Sequence, residues 1–529
     1  MTEPTQHASY WMTSEAGTPL PGVKADLDVD VAVVGAGIAG LSTAYEVLLT
    51  GRTVAVLEAG RLAAGVTGHT TAKVSALQST RYSALRSRFG PGVAGLYAES
   101  QRDAVARIAE VAADLQLSCE LERTLACTYT TEPDRRSSIE QEAEAAGETG
   151  LAVRLLHDGA VPYDEAVAAV VLEDQLQFHP RKYLLGVARR VVELEGLVFE
   201  TARVVGIEPG DPCVVRTEQG HTVRAGHVVV ATNYPMTDRA MLFPRLKPRR
   251  ELVVAGPVPE GADPGGMFYA DDSTTRSVRT APLAGGRRLL VVTGESFTPG
   301  EGGDLERRYR ELEDWARAHF PLEHVSHRWA AQDSSSSDLL PFVGPAHGGR
   351  GRMHVVTGFG GWGMTNGVMA GRLIASLVAG EPLPWHSVFD ARRFDPRKES
   401  RSMAQTAAVT VKRFVGPRVT GGEVSSAEKI PAGGGAIVRS GASLCAVHRD
   451  DGGHVHGVSA RCTHLGCIVR YADVEQQWQC PCHGSRFATD GTVLQGPANA
   501  PLAPCGHDHS SAPARGGQDA DEAAAQRPR

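Results

Sequence analysis

Two short boxes in the last fifth of the chain, CTHLGC at Cys462–Cys467 and CPCHGS at Cys480–Ser485, each set a cysteine and a histidine within three residues of one another. Thiolate sulfur and neutral imidazole nitrogen are ligands for transition metals, and two such pairs on two loops supply four donor atoms. Taken as ligands, Cys462, His464, Cys480 and His483 can hold a tetrahedral zinc ion. They can also hold a two-iron cluster in which one iron keeps two thiolates and the other takes two imidazoles. Replacing two thiolates by neutral imidazoles lowers the negative charge of such a cluster and raises its potential. The centre would then accept electrons readily. Each box carries one further cysteine, Cys467 and Cys482, beyond the four-ligand count.

The stretch from about 422 to 505 resembles the Rieske [2Fe–2S] proteins of the cytochrome bc complexes. The likeness rests on the two boxes, on Gly484, Ser485 and Phe487, and on GPANAPL at Gly496–Leu502. It implies Cys462, His464, Cys480 and His483 as cluster ligands, and a disulfide between Cys467 and Cys482 that joins the two loops. Cys119, Cys127, Cys213, Cys445 and Cys505 have no such spacing and read as small buried hydrophobes.

A second chemistry-bearing motif opens the chain. From Asp28 the sequence runs DVDVAVVGAGIAGLSTAYEVLLTGRTVAVLEAG, an apolar strand, a glycine-rich turn, an amphipathic helix and a second apolar strand ending at Glu58. This is a βαβ nucleotide-binding unit. Gly35 permits the tight turn, Gly37 lets the backbone approach a pyrophosphate, and Gly40 lets the helix pack on the strand. Glu58 is placed to accept the ribose hydroxyls of an adenosine. The motif alone does not separate NAD from FAD.

Four later segments bear on that choice: RLAAGVTGHTTAK at 61–73, GHVVVATNYP at 226–235, DLLPFVGP at 338–345, and RMHVVTGFGGWGMTNGVMAGRLIASLVAG from Arg352. In this order they resemble the D-amino-acid oxidase-like family of FAD-dependent oxidoreductases over roughly 27–395. The resemblance implies an α/β Rossmann-like FAD-binding domain built from segments of about 27–75, 186–235 and 331–395. An α+β substrate domain is inserted at about 76–185 and 236–330, with an antiparallel sheet over the flavin. A linker at 396–421, a small all-β Rieske domain at 422–506 and a disordered tail at 507–529 complete the expectation; the tail is polar and low in apolar residues.

The same resemblance places Thr67, His69 and Thr70 near the cofactor, and sets the turn of Gly358, Gly360, Gly361, Gly363, Met364 and Thr365 against the flavin pyrimidine ring. A helix begins there, and its free N–H groups and partial positive charge would stabilise an anionic reduced flavin. TGHTTA departs from the usual family pattern of an arginine and an asparagine. His69 falls where relatives of the dimethylglycine and sarcosine dehydrogenase type attach FAD covalently; hydrogen bonding to the cofactor is the other role open to it.

The bulk properties set the frame. A chain of 529 residues, 42% hydrophobic and 22% charged, is ordinary for a multidomain globular enzyme. A net charge of −7 provides no basic surface for nucleic acid. No apolar run reaches the length of a membrane span, and MTEPTQHASYWM lacks a secretory pattern; a cytoplasmic location is expected. The three histidines of DWARAHFPLEHVSH, Asp314–His327, read as a helix end broken by Pro321 rather than as an oxygenase iron site.

The expected function is oxidation of a small amine or amino-acid-like substrate by hydride transfer to FAD, with electrons leaving singly through the [2Fe–2S] cluster to an external acceptor. A substrate amine entering neutral needs no side-chain base, so no catalytic acid or base is assigned. Three other readings fit the same residues: a Rieske-to-flavin reductase or monooxygenase, an amine oxidase using dioxygen, and a redox sensor or carrier without turnover.

Overall fold

The computed structural model describes residues 5–506 apart from 160, 239–241 and 442. The tail 507–529, with His507 and His509, lies outside the described residues.

The runs VAVV at 31–34, VAVL at 54–57 and VVV at 228–230 are apolar without alternation, a pattern tolerated only in a sheet covered on both faces. They form its centre. Strands Met353–Thr357, Thr222–Val230, Leu27–Val34, Val54–Leu57 and Leu197–Phe199 lie parallel in that order, and Phe342–Pro345 adds an antiparallel edge. Helices Ile38–Leu48 and Gly363–Ala379 share one apolar core against this sheet. They approach closely because Gly367 and Gly371 face the first helix: a Cβ on Gly367 would lie 2.7 Å from Ile38 Cγ2, and one on Gly371 2.7 Å from the carbonyl carbon of Ser42. Both helices therefore begin at the same end of the sheet.

A second sheet of nine strands runs from His327–Ser336 through Leu246–Pro259, Arg287–Phe297, Arg276–Leu283, Gly266–Ala270, Glu122–Thr130 and Ala168–Gln177 to Lys73–Val74, with Arg154–His157 paired off this path. Its strands come largely from the two stretches expected as insertions, and helix Leu305–His319 packs on one face through Leu305, Tyr309, Leu312 and Ala316.

The third unit is all β. A sheet of Gly435–Ser440, Ser443–Arg449 and Val455–Ser459 meets a four-stranded sheet of Arg470–Ala472, Gln477–Gln479, Arg486–Phe487 and Val493–Gln495. Its core forms around the fully buried Trp478 and Phe487. Cys445 and Cys505, expected as unpaired small hydrophobes, are instead joined by a disulfide across 60 residues, which ties the middle strand of the first sheet to the end of the domain. Cys119, Cys127 and Cys213 are free and buried.

Residues 396–421, expected as a linker, fold almost entirely as helix Pro396–Thr420. Near its start Glu399 is bidentate to Arg245, at 2.6 and 2.9 Å, with side chains only 2% and 1% exposed, and the guanidinium stacks 4.3 Å from the centre of the Phe342 ring. Further along, Arg413 holds Glu301 at 2.8 Å and donates to the Pro481 carbonyl at 2.9 Å. The helix thus spans from the first body to the second cysteine box. Among the described residues no helix is long and apolar enough to cross a membrane.

Truncating one partner of a buried ion pair leaves the other charge unpaired, so E399A is expected to cost roughly 3–5 kcal/mol of unfolding free energy. Urea titration of the variant measures it; an unchanged midpoint would show that Arg245 finds water or another partner.

Candidate two-cofactor site

A cavity of about 620 Å³ opens where the two helices begin. Gly35, at φ 102°, turns the chain out of the first strand, and a Cβ there would stand 2.6 Å from the Ala231 carbonyl oxygen. A Cβ on Gly40 would fall 1.8 Å from the Gly35 carbonyl oxygen, so only glycine lets the helix sit this close to the turn. Thr67 accepts a hydrogen bond from the Ile38 N–H at 3.1 Å, satisfying one of the free donors of the helix start. The Glu58 carboxylate accepts from Ala36 N at 2.8 Å and from Gly60 N at 2.8 Å; burial nevertheless raises its pKa.

Gly35, Gly37, Glu58, Thr67, Thr70, Gly360, Gly361, Gly363 and Met364 all line the cavity. Gly40, His69, Gly358 and Thr365 are not among the residues that line it. Thr365 bonds the Ser75 backbone at 3.1 and 3.3 Å. His69 ends a 3₁₀ turn, with Nδ1 2.9 Å from the Gly65 carbonyl and its own carbonyl accepting from Trp329 Nε1 at 2.9 Å. Burial pushes its pKa down to about 4, so the imidazole is neutral at physiological pH. A backbone cradle bared by glycine, a buried carboxylate at one end and a helix start at the other fit a dinucleotide such as FAD.

Sequence reasoning did not anticipate the charge at the helix start. Asp333, whose pKa burial raises to about 6, accepts from the Gly361 N–H at 2.6 Å. One free donor of the turn is therefore already engaged by a carboxylate. Arg249 and Glu251 also line the cavity and pair with each other at 3.1 Å. Deeper in the second sheet, the Lys73 ammonium touches the Ser277 hydroxyl, and burial, with Arg279 adding to it, pushes its pKa down to about 7. Arg276 is taken up by Glu295 at 2.7 Å, and Arg279 by the Thr71, Ala72 and Phe178 carbonyls, so neither presents a free guanidinium. His327 bonds Thr13 and Ser326, and His319 turns back to the Trp315 carbonyl.

The two cysteine boxes are matching turns. Cys462 N donates to Cys467 O at 2.9 Å and Gly466 N to Cys462 O at 2.8 Å; Cys480 N donates to Ser485 O at 2.8 Å and Gly484 N to Cys480 O at 3.0 Å. Gly466 and Gly484 take φ of 82° and 79°, the left-handed region that favours glycine. Cys467 and Cys482 are joined, with Cα atoms 6.5 Å apart, leaving Cys462 and Cys480 as buried free thiols. The His464 and His483 rings meet at 4.9 Å between centres. Nδ1 and Nε2 of His464 and Nδ1 of His483 are buried with no hydrogen-bond partner. Burial pushes these imidazoles down to about 4 and about 3, the neutral form that ligates metal. Two thiols and two neutral imidazoles with orphaned nitrogens fit a mixed-ligand [2Fe–2S] cluster.

The histidine edge is turned inward. Phe243 packs on His464 at 4.6 Å and on His483 at 5.3 Å, and Tyr234, which lines the dinucleotide cavity, packs on His483 at 5.4 Å. Polar contacts hold the small domain in place. Arg250, fully buried, is bidentate to Glu475, and Gln332 Nε2 donates to the Gly484 carbonyl at 2.9 Å. Burial alone would raise Glu475, but the Arg250 charge brings it down to about 2.

A dinucleotide site on a parallel sheet, an inserted second sheet and a pair of Cys-His loops at one interface define a flavoenzyme with an iron–sulfur domain. The chain belongs to the FAD dependent oxidoreductase family, DAO, whose model matches residues 30–377, and residues 422–506 match the Rieske [2Fe-2S] domain. FAD and a [2Fe–2S] cluster are thus its cofactors, and the protein is an oxidoreductase. It is similar to protein YhfW of Bacillus subtilis (strain 168), which carries a Rieske 2Fe-2S name: 31% identity over 495 residues, covering 93% of this chain and 96% of the relative. The gamma-glutamylputrescine oxidoreductase of Escherichia coli (strain K12) is 24% identical, over 74% of this chain and 91% of its own. Among solved structures, glycine oxidase from Geobacillus kaustophilus superposes with a TM-score of 0.57 at 19% identity, covering 70% of this chain and all of that one.

Lys73 offers a pH test. With a folded pKa of about 7 against about 10.4 unfolded, the unfolded chain binds more protons between these values, so stability climbs as pH rises from about 7 to about 10. In K73M that slope should flatten. Melting temperatures of both proteins across this range check it, and parallel curves would show that Lys73 stays charged in the fold.

Proposed function

We propose that the enzyme oxidises a small amino-acid-like amine at FAD and that the electrons pass inside the same chain to the Rieske cluster, and from there to an external acceptor. When bound, FAD supplies two-electron oxidation of a carbon–nitrogen bond, and the cluster supplies one-electron acceptance. The names of similar proteins, a gamma-glutamylputrescine oxidoreductase and a glycine oxidase, support the substrate class. The observation that carries the electron route is the aromatic contact: Tyr234 belongs to the cavity wall and also touches His483.

The chain's own residues have definable tasks. Gly35, Gly37, Thr67 and Glu58 would hold the dinucleotide, and Gly360–Met364 would border its redox-active end. Cys462, His464, Cys480 and His483 would hold the cluster. Arg249 and Glu251 give the cavity one group of each sign, suited to a zwitterionic substrate. The neutral imidazole of His69 keeps a free Nε2 that could carry a covalent bond to FAD; flavin remaining with the acid-precipitated protein would support it, and a colourless pellet would sink it.

Anaerobic stopped-flow mixing with a panel of amino acids and γ-glutamylated amines tests the function. The flavin band should bleach first and the Rieske electron paramagnetic resonance signal rise after it. In F243L the second phase should slow several-fold relative to the first. A flavin that bleaches with substrate while the cluster stays oxidised would overturn the route.

A further inference from the structure

We infer that the Rieske domain is itself part of the FAD-binding site: its segment 493–499 walls the adenosine end of the dinucleotide cavity, so FAD affinity depends on the docked domain.

The segment, Val493 to Asn499, lines the same cavity as Gly35 and Glu58. Its place along that cavity follows from hydrogen bonds. The Glu58 carbonyl accepts from Ala202 N at 2.7 Å. The next residue, Arg203, donates through Nη2 to the Val493 carbonyl at 3.1 Å, and Asn499 Nδ2 donates to the Val205 carbonyl at 3.2 Å. These bonds bracket the segment at both ends and fix it beside residues 203–205, which follow directly on the Ala202 that bonds Glu58. The acid at the end of the second strand marks the ribose side of a dinucleotide, so the segment stands at the adenosine half rather than at the flavin ring.

The chemistry of the wall suits that half. Leu494 is 53% exposed and Pro497 lines the cavity, together offering apolar surface to the flat face of a purine. The segment and the residue that follows it are tied to both cluster loops: Ala498 N donates to Ser485 Oγ at 3.1 Å, and Thr463 Oγ1 donates to the carbonyl of Ala500, next after Asn499. Whatever orders the cysteine boxes therefore also sets the wall. Binding free energies are reciprocal, so FAD must in turn favour the docked domain.

Hydrogen–deuterium exchange on the full-length protein tests this directly. Apoprotein from riboflavin-limited expression is compared with the same protein reconstituted with FAD. Backbone amides of 493–499 should exchange more slowly with FAD present, while those of Gly435–Ser440, at the far sheet of the same domain, should not change. A second measurement titrates FAD into N499A, whose dissociation constant should rise about fivefold for the loss of one hydrogen bond at the interface, with the Rieske resonance signal intact. Equal exchange of 493–499 with and without FAD, or an N499A protein with unchanged FAD affinity, would overturn the inference.

Discussion

An imidazole nitrogen taken out of water without a hydrogen-bond partner costs free energy on the order of 1–3 kcal/mol unless something else satisfies it. His464 and His483 carry three such nitrogens between them, and the chain surrounds them with aromatic rings rather than donors. Ligation through one nitrogen of each ring would satisfy two of the three, and the rest of the small domain is arranged to present those ligands. Two turns closed by glycine present the ligands, one disulfide clamps the turns together, and a second, from Cys445 to Cys505, closes the β framework behind them.

The docking of that domain is specified by charge as much as by shape. Arg250 is fully buried, and Glu475 is the group that neutralises it. A buried pair of this kind adds little net stability compared with apolar packing, but an unpaired Arg250 would be strongly unfavourable. Registers that separate the two are thereby disfavoured. Gly484 adds a steric condition: a Cβ there would lie 2.5 Å from Gln332 Nε2. The residue that lets the second cysteine box turn is also the one that lets the two bodies touch.

What could be read in the sequence is what is local. The glycines from Gly35 to Gly40, Glu58, and the two cysteine boxes each declare themselves within a few dozen residues, because the chemistry demands fixed spacing along one turn or one βαβ unit. The resemblance then ordered the larger pieces. The remainder depends on contacts between residues far apart. Glu399 and Arg245 are 154 residues apart, and nothing near Pro396 reveals that a supposed linker is a helix anchored by that pair. Cys445 and Cys505 have no ligand spacing, so their pairing was invisible. Tyr234 falls in the GHVVVATNYP segment and Phe243 shortly after it, but nothing in that stretch points to the cysteine boxes, and only the folded chain brings the two rings to the histidines. Asp333 and Lys73 look like ordinary surface charges until burial alters them.

The inward-facing histidine edge has a consequence for traffic. A cluster whose imidazoles lie under Tyr234 and Phe243 would be insulated from diffusing carriers on that side, and the outer turn of the first box, at the exposed Thr463 and Leu465, is turned to solvent. Entry and exit would then occupy different faces of one small domain. On the proposed electron route such a layout would guard against short circuits by placement: a stray oxidant could collide with the outer turn without reaching the histidine edge packed under Tyr234 and Phe243.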